Sequence, residues 1–166
     1  LRKTGLANGV DVGAMDFADF LAVLAKLGNN AWSPADVVWL FNHSTYIKAL
    51  GITEFKDSAM NGRSSTIYTG AMTSVLGSDL FVTRDFGLTE ADGKISTTSG
   101  NNVKGGFLAM HRDAVQYGFS GEYQIEIARI PGKGFQIFGH YFMGAAIATS
   151  LVGNAPTVAL GYNVTV

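Results

Sequence analysis

A short, continuous run of apolar residues constrains the fold of this chain more than any other feature. The run, Val37 to Phe41, has the length of one strand and contains no polar residue that would mark a solvent-facing side. Such a pattern is typical of a strand that is buried on both faces of its sheet. We therefore predict a central strand at this point in the chain.

Helical periodicity flanks the predicted strand on both sides. From Asp16 to Leu27, large apolar residues recur at spacings of three and four, and Gly28 follows as a stop signal. After the strand, Asn42 or Ser44 can cap a short helix that ends at Gly51. A helix, a buried strand and a second helix together predict a mixed α/β unit.

The middle of the chain is predicted to contain strands and one loop. Residues 65–70 and 79–87 are rich in β-branched and aromatic residues and are bounded by glycine, which predicts a strand in each. Residues 88–102 are polar and include an Asp-Gly turn signal, so we expect a mobile, solvent-facing loop. Residues 105–119 predict a strand that runs into one helical turn, where Asp113 is placed to satisfy free amides.

The last third of the chain has the strongest strand pattern. Apolar and polar residues alternate in residues 122–130 and 135–142, with a Pro-Gly-Lys-Gly turn between them. This predicts a long hairpin, which is followed by a stretch of small residues and a closing strand at 157–166. The aromatic residues of the hairpin region are Phe135, Phe138, Tyr141 and Phe142. They could line a sugar-binding surface, but we favour packing in the core of a sheet, which is commoner.

Composition limits the functions open to the chain. Charged residues make up 15% of its 166 residues and hydrophobic residues 47%, whereas an average soluble domain is about 25% charged. This balance suggests that large surfaces are hidden by something other than the chain's own core. The formal net charge of -1 argues against a dedicated nucleic-acid binder. No apolar run has membrane-spanning length, so we expect no membrane partner.

No set of residues in the sequence points to a reaction. The chain has no cysteine, and its three histidines lie far apart, so neither a thiolate site nor a histidine metal motif is present. Asp79 and Asp85 bracket one predicted strand and could form an acid or metal pair, but strand-end aspartates more often serve turns. We predict no enzyme activity, no cofactor, and no catalytic, cofactor-binding or metal-binding residues.

Two tripeptides match protein-kinase signatures: DFG at residues 85–87 and HRD at residues 111–113. In a kinase the HRD tripeptide precedes DFG, and an asparagine five residues beyond the HRD aspartate holds a metal ion. Here the order is inverted, and Gly118 occupies the position of that asparagine. The phosphotransferase hypothesis is therefore rejected.

Four stretches, read in order, carry a resemblance to a known family. They are PADVVWLFNHSTYIKALG (34–51), GSDLFVTRDFG (77–87), GGFLAMHRDAVQYGF (105–119) and EYQIEIARI (122–130). Together they resemble the C-terminal two thirds of a tailed-bacteriophage major capsid protein of the Hong Kong 97 fold. The resemblance implies an α+β fold, in which an axial domain has a mixed sheet and flanking helices and a long β-hairpin follows. The family's N-terminal arm, extended loop and spine helix have no counterpart, which is what we expect of a truncated chain.

The resemblance also implies a domain division and a function. Residues 1–121 resemble the axial domain, and residues 122–166 resemble the returning strands of the peripheral domain. The implied function is that of a major capsid subunit, which self-assembles into pentamers and hexamers of an icosahedral shell around double-stranded DNA without sequence-specific contacts. Other capsid, scaffold or portal proteins are further implied partners. The implied location is the virion, after assembly in the host cytoplasm.

The turn at the hairpin tip has a specific implied role. In the family, this tip meets its equivalents from neighbouring capsomers near local threefold axes. The expected assembly contacts are Arg129, Pro131, Gly132, Lys133 and Gly134. In the competing interpretation, the two cations are ordinary solvated charges at a hairpin end, each worth less than roughly 1 kcal/mol.

Two other functions remain open on sequence grounds. One is the shell protein of an encapsulin-type bacterial nanocompartment, which shares the fold but encloses enzymes. The other is a β-rich carbohydrate-binding or tail-fibre module that uses the C-terminal aromatic residues. Polygonal particles would favour a shell protein, whereas glycan binding by a monomer would favour the module.

Overall fold

The computed structural model of the chain describes residues 8–119, 121, 124–148, 151 and 155–166. In chain order its helices and strands are β1 (Gly9–Asp11), α1 (Phe17–Leu27), β2 (Val37–Asn42), α2 (His43–Leu50), α3 (Thr53–Lys56), α4 (Ser58–Asn61), α5 (Thr66–Thr69), β3 (Ser74–Val75), β4 (Ser78–Thr83), β5 (Lys104–His111), β6 (Val115–Phe119), β7 (Gln124–Ile130), β8 (Gly134–His140), β9 (Met143–Ile147) and β10 (Val158–Thr165). Short 3-10 turns connect several of these elements, including one at Arg112–Ala114 between β5 and β6.

The chain divides into two compact units. Of the described residues, unit 1 contains 8–114, 151 and 155–166, and unit 2 contains 115–119, 121 and 124–148. This division differs from the predicted one at residue 121, because β10 pairs with β5 in the large sheet of unit 1. A local strand pattern does not specify which distant strand is the partner, so the sequence grouped β10 with its neighbours along the chain. The assignment of residues 1–121 and 122–166 to axial and peripheral domains stays a prediction.

A six-stranded mixed sheet organises unit 1, in the order β1-β10-β5-β2-β4-β3. Strands β2 and β4 run parallel, as do β1 and β10, whereas β5 is antiparallel to both of its neighbours. Strand β2 lies between β5 and β4, and all but one of its residues are buried. The predicted central strand is therefore confirmed, together with the predicted α+β class.

An aromatic cluster holds α1 against one face of this sheet. Phe20 of α1 contacts Trp39, Phe41 and Phe107, with ring centroids 5.3–6.0 Å apart. All four side chains are fully buried. Burying one such side chain contributes about 1.5–3 kcal/mol, so this cluster is a main source of stability for unit 1.

The helices that flank β2 begin at the predicted residues. Asp16 and Asp19 form a capping box at the start of α1: each backbone N–H donates to the other's carboxylate, at 2.8 and 3.0 Å. Gly28, with φ at +53°, ends this helix. Of the two predicted caps for α2, Asn42 is the one used, because its Oδ1 accepts from the N–H of Ser44 at 2.8 Å.

The strand predicted for residues 65–70 is wrong, because Thr66–Thr69 form the short helix α5. The Thr66 hydroxyl donates to the carbonyl of Leu50 at 2.9 Å and ties this helix to the end of α2. Gly70 ends it in the left-handed conformation, with φ at +66°. The β-branched composition of this stretch is overridden by its tertiary contacts.

Residues 88–102 contain no strand among the described elements, and most of their side chains are exposed or half-buried, as predicted for a loop. Thr89 and Lys104 exchange two backbone hydrogen bonds of 2.8 Å at its base. A turn around Gly93 is closed by the N–H of Glu90, which donates to the carbonyl of Lys94 at 2.8 Å. The mobility of this loop stays a prediction.

Unit 2 consists of two antiparallel ribbons of two strands each. Strands β7 and β8 form the predicted hairpin, in which Ile127 pairs with Ile137. Strands β6 and β9 form the second ribbon, in which Tyr117 pairs with Ala145. The predicted packing of the hairpin aromatics in the core of a sheet is not observed, because all four side chains are at least 40% exposed. The aromatic side chains that are exposed instead are Phe135, Phe138, Tyr141 and Phe142.

Candidate assembly surfaces

The DFG tripeptide lies in a turn that follows the end of β4. The N–H of Asp85 donates to the hydroxyl of Thr83 at 3.2 Å, and the carbonyl of Phe86 accepts a hydrogen bond from Nδ2 of Asn42. The Phe86 ring packs on a cluster of buried side chains from β5 and β10. These contacts anchor the turn to the sheet of unit 1, and every one of them is structural.

The HRD tripeptide joins the end of β5 to the following 3-10 turn. Arg112 donates from Nε to the carbonyl of Ala35 at 2.6 Å and forms an ion pair with Asp79. Among the described contacts, the Asp113 carboxylate caps no backbone amide; it lies 3.8 Å from Nδ1 of His111, and the N–H of Asp113 donates to the same nitrogen at 3.1 Å. The arginine thus fastens β5 to the start of β4 and to the segment that precedes β2.

The two aspartates considered as an acid or metal pair lie at opposite ends of β4. Asp79 is the second residue of the strand and pairs with Arg112, whereas Asp85 follows the strand by two residues. The strand from Asp79 to Thr83 alone extends over about 13 Å, at roughly 3.3 Å per residue, before the turn that contains Asp85 begins. Among the described residues, no group of three or more metal-binding side chains comes together.

The turn predicted as an assembly contact lies at the tip of the β7–β8 hairpin. The backbone N–H of Lys133 closes this turn by donating to the carbonyl of Ile130 at 3.0 Å. Gly132 and Gly134 have φ values of +79° and +94°. These left-handed φ values explain why both positions hold glycine, because a residue with a side chain adopts them only with backbone strain. The guanidinium of Arg129 lies 5.9 Å from the ring centroid of Phe135. All five residues expected at this contact are exposed: Arg129, Pro131, Gly132, Lys133 and Gly134.

The β7–β8 ribbon has one apolar face and one more polar face. Residues that pair directly across antiparallel strands point to the same side, so the register assigns each side chain to a face. The more apolar face carries Ile125, Ile127, Phe135 and Ile137, which are 64–74% exposed, together with Gly139 and, near the tip, Arg129. The opposite face is mixed and carries Glu126, Ala128, Ile130, Gly134, Gln136 and Phe138. An exposed apolar face of this kind typically marks a surface that is covered in the working state of a protein.

The β6–β9 ribbon is one-sided in the same way. Its apolar face carries Val115, Tyr117, Phe119, Met143 and Ile147, which are all exposed. Its other face carries only Gln116, Gly118, Gly144 and Ala146. Strand alternation in the sequence predicted this one-sidedness for the hairpin, but not whether each face is covered within the chain.

Comparisons by sequence and by structure give different results. No protein-family model and no curated relative matches the sequence. Solved structures do match: one from Mycobacterium phage Che8 has a TM-score of 0.57 at 14% identity and covers 93% of this chain and 52% of its own. The capsid structure of the cyanophage P-SCSP1u has a TM-score of 0.55 at 12% identity, covering 88% of this chain and 45% of its own. The head structure of Helicobacter pylori bacteriophage KHP40 has a TM-score of 0.51 at 13% identity, covering 96% and 61%.

These matches define the class of fold. The chain has the fold of tailed-phage capsid proteins, which confirms the resemblance that the order of its elements predicted. It spans about half the length of the phage chains that it matches. In the described part of the chain, no helix has the length and apolar character needed to cross a membrane.

Proposed function

We propose that this chain is a structural subunit of a virion, which self-associates with copies of itself into a capsid shell. The observation that carries the proposal is the structural match to phage capsid and head structures over most of the chain. The low content of charged residues and the exposed apolar faces of unit 2 support it, because both suit a subunit that hides surface against other copies.

The proposal extends to the architecture of the shell. Subunits form pentamers and hexamers of an icosahedral particle, assembled in the host cytoplasm, that encloses double-stranded DNA without reading its sequence. Residues 1–121 surround the capsomer axes as the axial domain, and residues 122–166 belong to the peripheral domain. The hairpin tip meets its equivalents in neighbouring capsomers, and scaffold or portal proteins complete the particle. The role is structural, with no catalytic step.

The test is expression of the protein from its complete gene, followed by sedimentation and negative-stain microscopy. Polygonal particles built from this protein are expected. Nuclease-resistant DNA inside particles recovered from infected cells would distinguish a virion shell from a nanocompartment, whose particles would instead contain a packaged enzyme. A stable monomer that binds glycans and never forms particles would contradict the proposal and favour the carbohydrate-binding alternative.

A further inference from the structure

An asparagine that is followed by glycine lies at the start of the edge strand β1. Asn8 immediately precedes Gly9, the first residue of β1, and the chain contains a second Asn-Gly pair at residues 61–62. Asparagine is one of the thermally labile residues of proteins, because its side-chain amide can be lost by deamidation. A following glycine favours this reaction, since it has no side chain to hinder its backbone nitrogen and its backbone turns freely. The sequence therefore makes Asn8 a candidate for covalent modification.

Asn8 fastens the N-terminal end of β1 to the sheet of unit 1. Its side-chain Nδ2 donates to the carbonyl of Val158 at 3.0 Å, and its backbone carbonyl accepts from the N–H of Leu160 at 3.0 Å. At the other end of β1, the N–H of Val12 donates to the carbonyl of Tyr162 at 3.1 Å. Strand β1 has only three residues and its partner in the sheet is β10, so the contacts of Asn8 are a large part of what holds it.

The same contacts restrain deamidation while β1 is in place. The reaction requires the backbone nitrogen of Gly9 to reach Cγ of Asn8. In the folded chain, the Asn8 amide is bound to the Val158 carbonyl, and Gly9 is in register with Leu160 in the β1–β10 ladder. The Asn8 side chain must leave this hydrogen bond, and its backbone must turn, before the two atoms meet. Deamidation of Asn8 therefore depends on local opening of β1.

We propose that Asn8 is a self-modification site, at which deamidation releases β1 from β10. In the first step, the nitrogen of Gly9 forms a bond to Cγ of Asn8, the bond between Cγ and Nδ2 breaks, and Nδ2 leaves as ammonia together with the proton from Gly9. In the second step, water opens the resulting succinimide ring: its hydroxyl adds to one of the two ring carbonyls, and its proton goes to the nitrogen of Gly9. The product is aspartate or isoaspartate at position 8, and water is the only co-reactant.

Either product weakens the attachment of β1. An ionised aspartate only accepts hydrogen bonds, so at position 8 it has no hydrogen to donate to the Val158 carbonyl and repels it instead. Isoaspartate also lengthens the backbone by a methylene group, which disturbs the register of Gly9 against Leu160. Release of β1 uncovers backbone N–H and C=O groups along the outer edge of β10, and such an edge is a template for pairing with another strand.

Peptide mapping by mass spectrometry tests the modification in the purified protein at mildly alkaline pH. We expect Asn8 to convert to a mixture of aspartate and isoaspartate, about tenfold more slowly in the folded protein than in the urea-unfolded chain, because folded Asn8 reacts only after local opening. In the unfolded chain, the pair at residues 61–62 should react as fast as Asn8 and gives the rate without tertiary structure. Gly9→Ala should slow the reaction about tenfold in the unfolded chain, because its methyl group hinders the attacking nitrogen.

Amide hydrogen exchange tests the release of β1. Asn8→Asp reproduces one product directly, and we expect the N–H groups of Leu160 and Val12 to exchange about tenfold faster in it than in the wild type, because each has its acceptor across the β1–β10 pair. Asn101→Asp makes the same change at an exposed loop residue and should leave both rates unchanged. The N–H of Trp39, in the central strand β2, reports global unfolding. The same measurement on wild-type protein after alkaline incubation covers the case in which Asn8→Asp does not fold.

Three outcomes would overturn the inference. If Asn8 converts equally fast in the folded and the unfolded protein, β1 does not restrain it. If Asn8 stays intact in the folded protein, over an incubation that reveals a reaction about a hundredfold slower than in the unfolded chain, it is not a modification site. Unchanged exchange at Leu160 and Val12 in Asn8→Asp would show that β1 stays in place. All three are measured on the subunit itself, so they leave the proposed capsid function intact, and the inference does not depend on particle formation.

Discussion

Gly161 of β10 lies directly opposite Phe107 of β5, and the Phe107 ring occupies the space that a side chain at position 161 would need. A Cβ atom at Gly161 would lie 2.5 Å from two atoms of that ring. The close approach lets Phe107 turn its ring toward the aromatic cluster around Phe20 and Trp39. The absence of a side chain at this one position is therefore part of how the core of unit 1 is packed.

We expect Gly161→Ala to lower the free energy of unfolding by about 1–3 kcal/mol, because the Phe107 ring must move within a packed core. Urea unfolding followed by circular dichroism measures the change. The control is Gly87→Ala, since a Cβ atom at Gly87 meets no atom within 4 Å and its φ needs no glycine. Equal stabilities of the two variants would contradict the packing argument.

Asn42 links three segments of unit 1 through one side chain. It caps α2 by accepting from the N–H of Ser44 and donates to the carbonyl of Phe86, while it is itself buried. Asn42→Ala should lower the free energy of unfolding by about 1–3 kcal/mol, because the cap of α2 is lost and the carbonyl of the half-buried Phe86 loses its donor. Asn42→Asp keeps the oxygen that caps α2 but loses the N–H that donates to Phe86, so its melting temperature should differ from that of the wild type. An alanine variant as stable as the wild type would show that neither hydrogen bond contributes.

At the hairpin tip, reversing the charges of Arg129 and Lys133 distinguishes two hypotheses: that they form an assembly contact, or that they are ordinary solvated charges. Arg129→Glu with Lys133→Glu should leave the melting temperature of the monomer almost unchanged, because both side chains are exposed, Lys133 in the turn and Arg129 near the end of β7. Particle formation should nevertheless fall sharply, because repulsion recurs at every junction of the lattice. Gln136→Glu, on the more polar face of the same hairpin, serves as the control. Normal particles from the double variant would refute the placement of this tip at a junction.

The positions of the two kinase-like tripeptides lead us to predict that the protein has no kinase activity. Asp85 and Asp113 lie in turns whose hydrogen bonds are structural. We therefore expect no ATP hydrolysis or phosphotransfer above background from the purified protein, and no change in Asp85→Asn or Asp113→Asn. A turnover that disappears in either variant would overturn this expectation.

Asp19 predicts a small pH dependence of stability at the start of α1. Burial raises the pKa of its carboxyl above the ordinary value, an effect opposed in part by its hydrogen bond with the backbone of Asp16. A raised pKa in the folded state means that the contribution of this group is fully present below its unfolded pKa and is lost as pH rises through the folded pKa. As the pH rises through the folded pKa of Asp19, the free energy of unfolding should therefore fall less in Asp19→Asn than in the wild type. Parallel curves of stability against pH for the two proteins would contradict the assignment.

Much of this fold could be predicted from local patterns. The capping residues before α1, the continuous apolar run of β2 and the alternation of the β7–β8 hairpin each encode their element within a few residues. Capping, periodicity and turn chemistry depend on near neighbours along the chain, so they can be read without a tertiary structure.

The partners of these elements depended on distant residues. Strand β10 joins β5 across nearly fifty residues, and α5 is held by a hydrogen bond to Leu50 that replaces the predicted strand. For the candidate surfaces, the sequence located the exposed hairpin tip, but not the exposure of Ile67 and Tyr68 on α5 or the uncovered faces of unit 2. The sequence by itself determined the type and order of most elements, because those follow from local spacing. Only the tertiary structure decided which strands pair and which apolar side chains remain uncovered, because burial is a property of the whole packed chain.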